Sequence, residues 1–163
     1  MSGMQICGYF PGCIGRIVAM HGTYYARAWR LAPVFEAQVA HELGELMERF
    51  DGTRDGFWIA RDGDDIAGAI AIDGRGAPER ARLRFFIVDE PRRGSGLGGL
   101  LMRAALGFCR DVGFRSVFLT TFAGLDAARS LYERYGFVLA EQKPDRGWGV
   151  EVLAQRFELQ LTQ

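Results

Sequence analysis

The chain has 163 residues, and its 20 lysines and arginines equal its 20 aspartates and glutamates, so the formal net charge is zero. That length suits one domain, residues 1–163, with a substantial core, and the balance argues against a nucleic-acid binder, which carries excess positive charge. No apolar run approaches the roughly 20 residues needed to cross a bilayer, and Met1-Ser2-Gly3-Met4-Gln5 lacks the basic region of a signal peptide. A cytoplasmic protein with neither nucleic acid nor membrane as partner is the expectation.

In chain order, residues 1–11, with Gly3, Gly8 and Pro11, read as a loosely held lead. Residues 14–20 are an apolar run read as a first strand, broken by His21-Gly22-Thr23, with a short helix from Tyr24 to Trp29. Cys7, Cys13 and Cys109 make an odd count, which fits a reducing compartment. Cys7, Cys13 and His21 match no common zinc spacing, so no metal is expected. Pro33 opens a longer helix with Phe35, Val39, Leu43, Leu46, Met47 and Phe50 roughly on one face, and Asp51-Gly52 ends it. Residues 57–60 and 66–72 flank Arg61-Asp62-Gly63-Asp64-Asp65 and predict a β-hairpin, and residues 73–81 read as the next turn.

Residues 83–88, Leu-Arg-Phe-Phe-Ile-Val, then form a buried strand, which Asp89-Glu90-Pro91 stops because proline cannot donate to a sheet ladder. Leu97, Leu100, Leu101, Ala104, Ala105, Phe108 and Val112 recur at helical spacing, with Gly113 as a C-terminal stop. Between strand and helix stands Arg92-Arg93-Gly94-Ser95-Gly96-Leu97-Gly98-Gly99. A helix start has amides without intrahelical partners and a partial positive charge, and glycines let a ligand approach them. Strand, glycine-rich turn and helix together form a cradle for phosphate. Beyond it come a strand at 116–121, a helix at 126–135, a strand at 138–142, a loop at 143–147 and a closing strand at 148–161, giving an α+β chain with a mixed sheet.

Gly94-x-Gly96-x-x-Gly99 formally matches the dinucleotide fingerprint. That reading needs an acidic residue about 20 positions on, and Val117-Phe118-Leu119-Thr120-Thr121 has none. Arg93-x-x-Gly96-x-Gly98 instead resembles the acetyl-CoA signature of the GCN5-related N-acetyltransferases (GNAT). Leu131-Tyr132-x-x-x-Gly136-Phe137 resembles that family's second signature, and residues 21–27 are similar to the acetyltransferase half of certain bacterial winged-helix regulators. One departure is Leu125, where the family often has asparagine seven residues before the tyrosine; Asp126 is left as the helix cap.

The resemblance implies a single-domain GNAT-like fold, with a mixed, mostly antiparallel sheet, helices on both faces, and two central strands that splay apart. It implies acetyl-CoA as cosubstrate and an amine of a small molecule, peptide or protein as acceptor, and it leaves a homodimer open. Phe86 and Val88 would offer backbone groups to the pantetheine, while Arg93, Gly94, Ser95, Gly96, Gly98 and Gly99 would face the pyrophosphate. Tyr132 matches the catalytic acid and Tyr135 reads as core; His21, Tyr24 and Tyr25 would line the acceptor side. The general base stays open among His21, Glu36 and Glu151. A non-catalytic acetyl-CoA sensor is the alternative function.

Overall fold

The computed structural model describes residues 3–162. In chain order the elements are β1 (Gln5–Cys7), α1 (Cys13–Trp29), α2 (Pro33–Glu48), β2 (Gly56–Asp62), β3 (Asp65–Ala77) and β4 (Arg80–Val88). They continue with α3 (Leu97–Val112), β5 (Ser116–Phe122), α4 (Asp126–Arg134), β6 (Val138–Asp145) and β7 (Val152–Gln160). The strands form one seven-stranded sheet in the order β1-β2-β3-β4-β5-β7-β6. Every neighbouring pair is antiparallel except β4 and β5, so the expected mixed, mostly antiparallel sheet is present.

Successive strand residues point to opposite faces, and β3 uses both. Ile70 and Ile72 pack with Leu101, Met102, Ala105 and Leu106 of α3, while Ala69 and Ala71 pack with Cys13, Ile17, Leu43 and Leu46 of α1 and α2. The helices therefore cover both faces. Among the described residues no helix is long and apolar enough to cross a membrane.

The N-terminal third differs most from its sequence reading. Residues 14–20 are not a strand; with Tyr24 to Trp29 they belong to one helix, α1, which buries Cys13, Ile17, His21 and Gly22. Four-residue spacing of the buried positions is helical, and a run apolar on nearly every residue conceals it. Gly22 does not break this helix: a Cβ there would collide with the side chain of Glu36, so the glycine admits α2 close to α1. The lead at 1–11 is also corrected, because residues 5–7 form an edge strand paired with β2 through Gln5↔Arg61 and Cys7↔Ile59; Met1 and Ser2 lie outside the described residues.

Residues 73–77, read as turn, continue β3, and residues 80–82 begin β4, leaving only Pro78-Glu79 between the two strands. Asp73 explains the polar composition there. It is buried and accepts from Arg49 at 2.8 Å and Arg84 at 3.1 Å. Burial alone would raise its carboxyl pKa, but hydrogen bonds from Arg49 and the Arg75 amide hold it below the ordinary value. β6 likewise runs on through residues read as loop, because its partner β7 pairs as far as Asp145↔Val152. At the start of α4 the cap position is Leu125 and makes no side-chain cap; Asp126 stands in the first turn instead.

Candidate functional site

β4 ends at Val88, the Asp89 amide donates to the Ala67 carbonyl at 2.8 Å, and a short 3-10 turn spans Glu90–Arg92. Gly94 and Gly96 then adopt φ of 82° and 87°, and α3 starts with Gly96 at its cap position and no side-chain cap. A Cβ at either glycine would meet nothing within 4 Å, so it is the left-handed backbone that calls for glycine there. The first-turn amides of α3 are thus left for an external anion. Gly98 and Gly99 have packing reasons as well. A Cβ on Gly98 would lie 3.1 Å from Leu131 of α4, and one on Gly99 would lie 3.2 Å from the Tyr135 hydroxyl.

The two arginines divide. Arg92 is ion-paired with Asp62 and Asp89, each at 3.1 Å, and ties the turn down. Arg93 donates from Nε to the Val88 carbonyl at 3.1 Å and lies 4.2 Å from the Tyr24 ring centroid. The Ser95 hydroxyl donates back to the Arg92 carbonyl. Tyr24, Val88 and Arg93 line a groove of about 580 Å³ between α1 and this turn.

β4 and β5 pair only from Arg80↔Ser116 to Arg82↔Phe118 and then separate. Phe85, with φ of 56°, lies where the β3–β4 register shifts and bends β4 away from β5. The gap holds a cavity of about 180 Å³. His21 and Tyr25 of α1, Phe35 and Glu42 of α2, Arg82 and Phe86 of β4, Phe122 of β5, Tyr132 of α4 and Trp148 all reach it. Tyr24 and Tyr25, both expected to line the acceptor side, therefore face different cavities. Of the three groups left open as base, His21 lines this cavity, whereas Glu36 is exposed and Glu151 pairs with Arg146 at 2.9 Å.

Tyr132 is 6% exposed, with its ring 6.1 Å from that of Phe86 and 6.0 Å from that of Phe137. Burial, and then the nearby Tyr25 phenol, push its pKa above the ordinary tyrosine value. Burial likewise pushes Tyr25 up to about 12, helped by Tyr24 and opposed by Arg93. His21 Nδ1 lies 2.9 Å from the Ile17 carbonyl, so an Nδ1–H tautomer donates there and leaves the Nε2 lone pair free of that bond. Burial lowers the imidazole pKa, against the opposing effect of the same hydrogen bond, and favours this neutral form.

Arg82, Glu42 and Trp148 were missed in the sequence. A signal for Arg82 existed: Arg80-Ala81-Arg82-Leu83-Arg84 alternates charged and apolar residues, a half-buried strand's pattern. Glu42 and Trp148 belong to no local motif.

Residues 20–137 match the model of the acetyltransferase (GNAT) family. Rat N-acetyltransferase 8 is 36% identical over 86 residues, covering 50% of this chain and 39% of that protein. Rat N-acetyltransferase 8F1 is 28% identical over 106 residues, covering 63% and 48%. The chain thus spans less than half the length of these curated relatives. A GNAT-family acetyltransferase from Staphylococcus aureus Mu50 superposes with a TM-score of 0.81 at 15% identity, covering 98% of this chain and 100% of that one. A putative acetyltransferase of Salmonella typhimurium, yncA, solved with its cofactor acetyl-CoA, gives 0.78 at 15% identity, covering 98% and 95%.

Proposed function

Since this chain belongs to the acetyltransferase (GNAT) family, we propose that it transfers an acetyl group from acetyl-CoA to a primary amine by direct attack within a ternary complex. The observation that carries this reading is that one strand, β4, serves both halves of the site. Its end leads into the uncapped glycine turn, and its bulge opens the cavity that Tyr132 lines.

Acetyl-CoA supplies, when bound, a thioester carbonyl already activated for attack. The residues present fit it. Arg93, Gly94, Ser95, Gly96, Gly98 and Gly99 would hold the pyrophosphate, chiefly through the main-chain amides of the uncapped α3 start, and Phe86 and Val88 would offer main-chain groups to the pantetheine. The cavity's aromatic side chains lower the polarity around the amine. His21 Nε2 takes a proton from the attacking nitrogen, and the Tyr132 phenol gives one to the departing sulfur; both groups reset by exchange with water. The raised phenol pKa keeps Tyr132 protonated across the working range, and the lowered imidazole pKa keeps His21 unprotonated but makes it a weak base.

The test is an initial-rate screen of CoA-thiol release against amines, amino acids, aminoglycosides and peptides. Amine-dependent release supports acetyl transfer. Binding of acetyl-CoA with no amine dependence anywhere in the panel contradicts it and favours the sensor alternative.

A further inference from the structure

On the face of β4 that looks toward α2, three arginines follow one another at two-residue spacing. Arg80 pairs with Glu158, and Arg84 pairs with Glu42 at 2.8 Å and Asp73 at 3.1 Å. Arg82 lies between them and makes no ion pair with a carboxylate among the described residues. One of its terminal nitrogens donates to the Thr120 hydroxyl at 3.0 Å, and its Nε is buried without a hydrogen-bond partner. It lines the cavity of about 180 Å³ that also contains Tyr132, at the last β4–β5 pair before the strands part.

A guanidinium stays charged under all ordinary conditions, and withdrawing part of it from water without a directly hydrogen-bonded counter-ion is costly. Arg82 is half-buried in a cavity with a largely aromatic wall that includes Phe35, Phe86, Phe122 and Trp148. Glu42 lines the same cavity, and it and Asp73 act on Arg82 as nearby charges, but both carboxylates are directly paired with Arg84. A ligand carboxylate would relieve that cost, because the planar fork of arginine matches a carboxylate with two parallel hydrogen bonds. The aromatic walls ask for an apolar group on the same molecule. We infer that the acceptor is an amino acid with an apolar or aromatic side chain, whose carboxylate is received by Arg82 where β4 and β5 separate. This rests on the acetyl-transfer reading and names the substrate class of that site.

The experiment compares L-phenylalanine with phenethylamine, which lacks only the carboxylate, in the wild type, Arg82→Gln and Arg82→Lys. Charged hydrogen bonds of this kind correspond to about ten- to hundredfold, so wild-type kcat/KM should favour phenylalanine by that factor. The preference should collapse in Arg82→Gln and return in part in Arg82→Lys, with all three proteins folded by circular dichroism. An equal or reversed preference in the wild type, or one that survives in Arg82→Gln, overturns the assignment while leaving acetyl transfer intact. Calorimetric binding of N-acetyl-L-phenylalanine against N-acetylphenethylamine gives a readout that does not pass through turnover. If the former binds tighter only when Arg82 is present, the carboxylate site stands even where no amine is turned over, and acetyl transfer alone fails. Failure of the wild type to distinguish the two in binding overturns the site.

Discussion

Between Val88 and Leu97 the groups offered to a ligand are largely main-chain amides, set by two left-handed glycines and the start of one helix. In the cavity between β4 and β5 they are side chains, brought in from α1, α2, β4, β5 and α4. The first arrangement is the one proposed to hold the pyrophosphate, which acetyl-CoA presents whatever the acceptor. The second can change one residue at a time without disturbing the turn. A change in the cradle should therefore alter cofactor affinity alone, and a change in the cavity should alter chemistry or acceptor choice alone.

Tyr132→Phe is the largest expected break of that division. It removes a hydroxyl and keeps the ring packed against Phe86, Phe137 and Phe157. General acid catalysis typically contributes about 10²–10⁴-fold, so the single-turnover rate should drop in that range with acetyl-CoA affinity unchanged. An unaltered single-turnover rate makes Tyr132 a packing residue.

Gly96→Asp attacks the other half. Aspartate tolerates the left-handed backbone better than most residues, but its carboxylate would occupy the anion position. Acetyl-CoA at 100 times its dissociation constant should stabilise the wild type by about 2.7 kcal/mol, read as a rise in Tm. The variant should lose that rise while remaining folded by circular dichroism. A full shift in the variant moves the cofactor elsewhere.

His21→Gln should cost less than the tyrosine change, because a buried imidazole with a lowered pKa is a weaker base. In the wild type the acid limb of kcat/KM should fall below the ordinary histidine value of 6.5. Loss of that limb in His21→Gln is the expected signature. A limb that persists unchanged assigns it to another group.

The smallest effect is on stability alone. Tyr25 titrates near 10.0 when unfolded and about 12 in the fold, so above pH 10 the unfolded chain loses its proton first. The stabilisation is present below pH 10 and is lost as pH rises toward 12. Tyr25→Phe should flatten that decline in Tm; an identical decline in both proteins would mean that Tyr25 is not shielded from water.

Legibility in the sequence follows the same division. The cradle is contiguous, and the glycines, the strand before it and the apolar stripe after it announce it at 3.6-residue spacing. The cavity is not contiguous. Trp148 and Phe35 meet at 5.4 Å between ring centroids although they are far apart in the chain, and no local pattern encodes such a contact. Local pattern also failed at residues 14–20, whose apolar run hides the helical spacing of Cys13, Ile17 and His21. It failed again at residues 73–81, where buried charge at Asp73 and the arginines of β4 imitates a surface turn. Both failures lie where ion pairs or close helix contact override composition. His21, Tyr25, Phe86 and Tyr132 were legible one by one, but their meeting with Arg82, Glu42 and Trp148 at one cavity was not.

The most direct test of the central claim is to mix the protein with isotopically labelled acetyl-CoA and the best amine from the CoA-release screen in a single turnover, and to follow the label by mass spectrometry. Acetyl transfer by direct attack requires the label to appear on the amino nitrogen in step with free CoA, with none left on the protein. Label retained on a protein side chain, or CoA released without N-acetylated product, would contradict it.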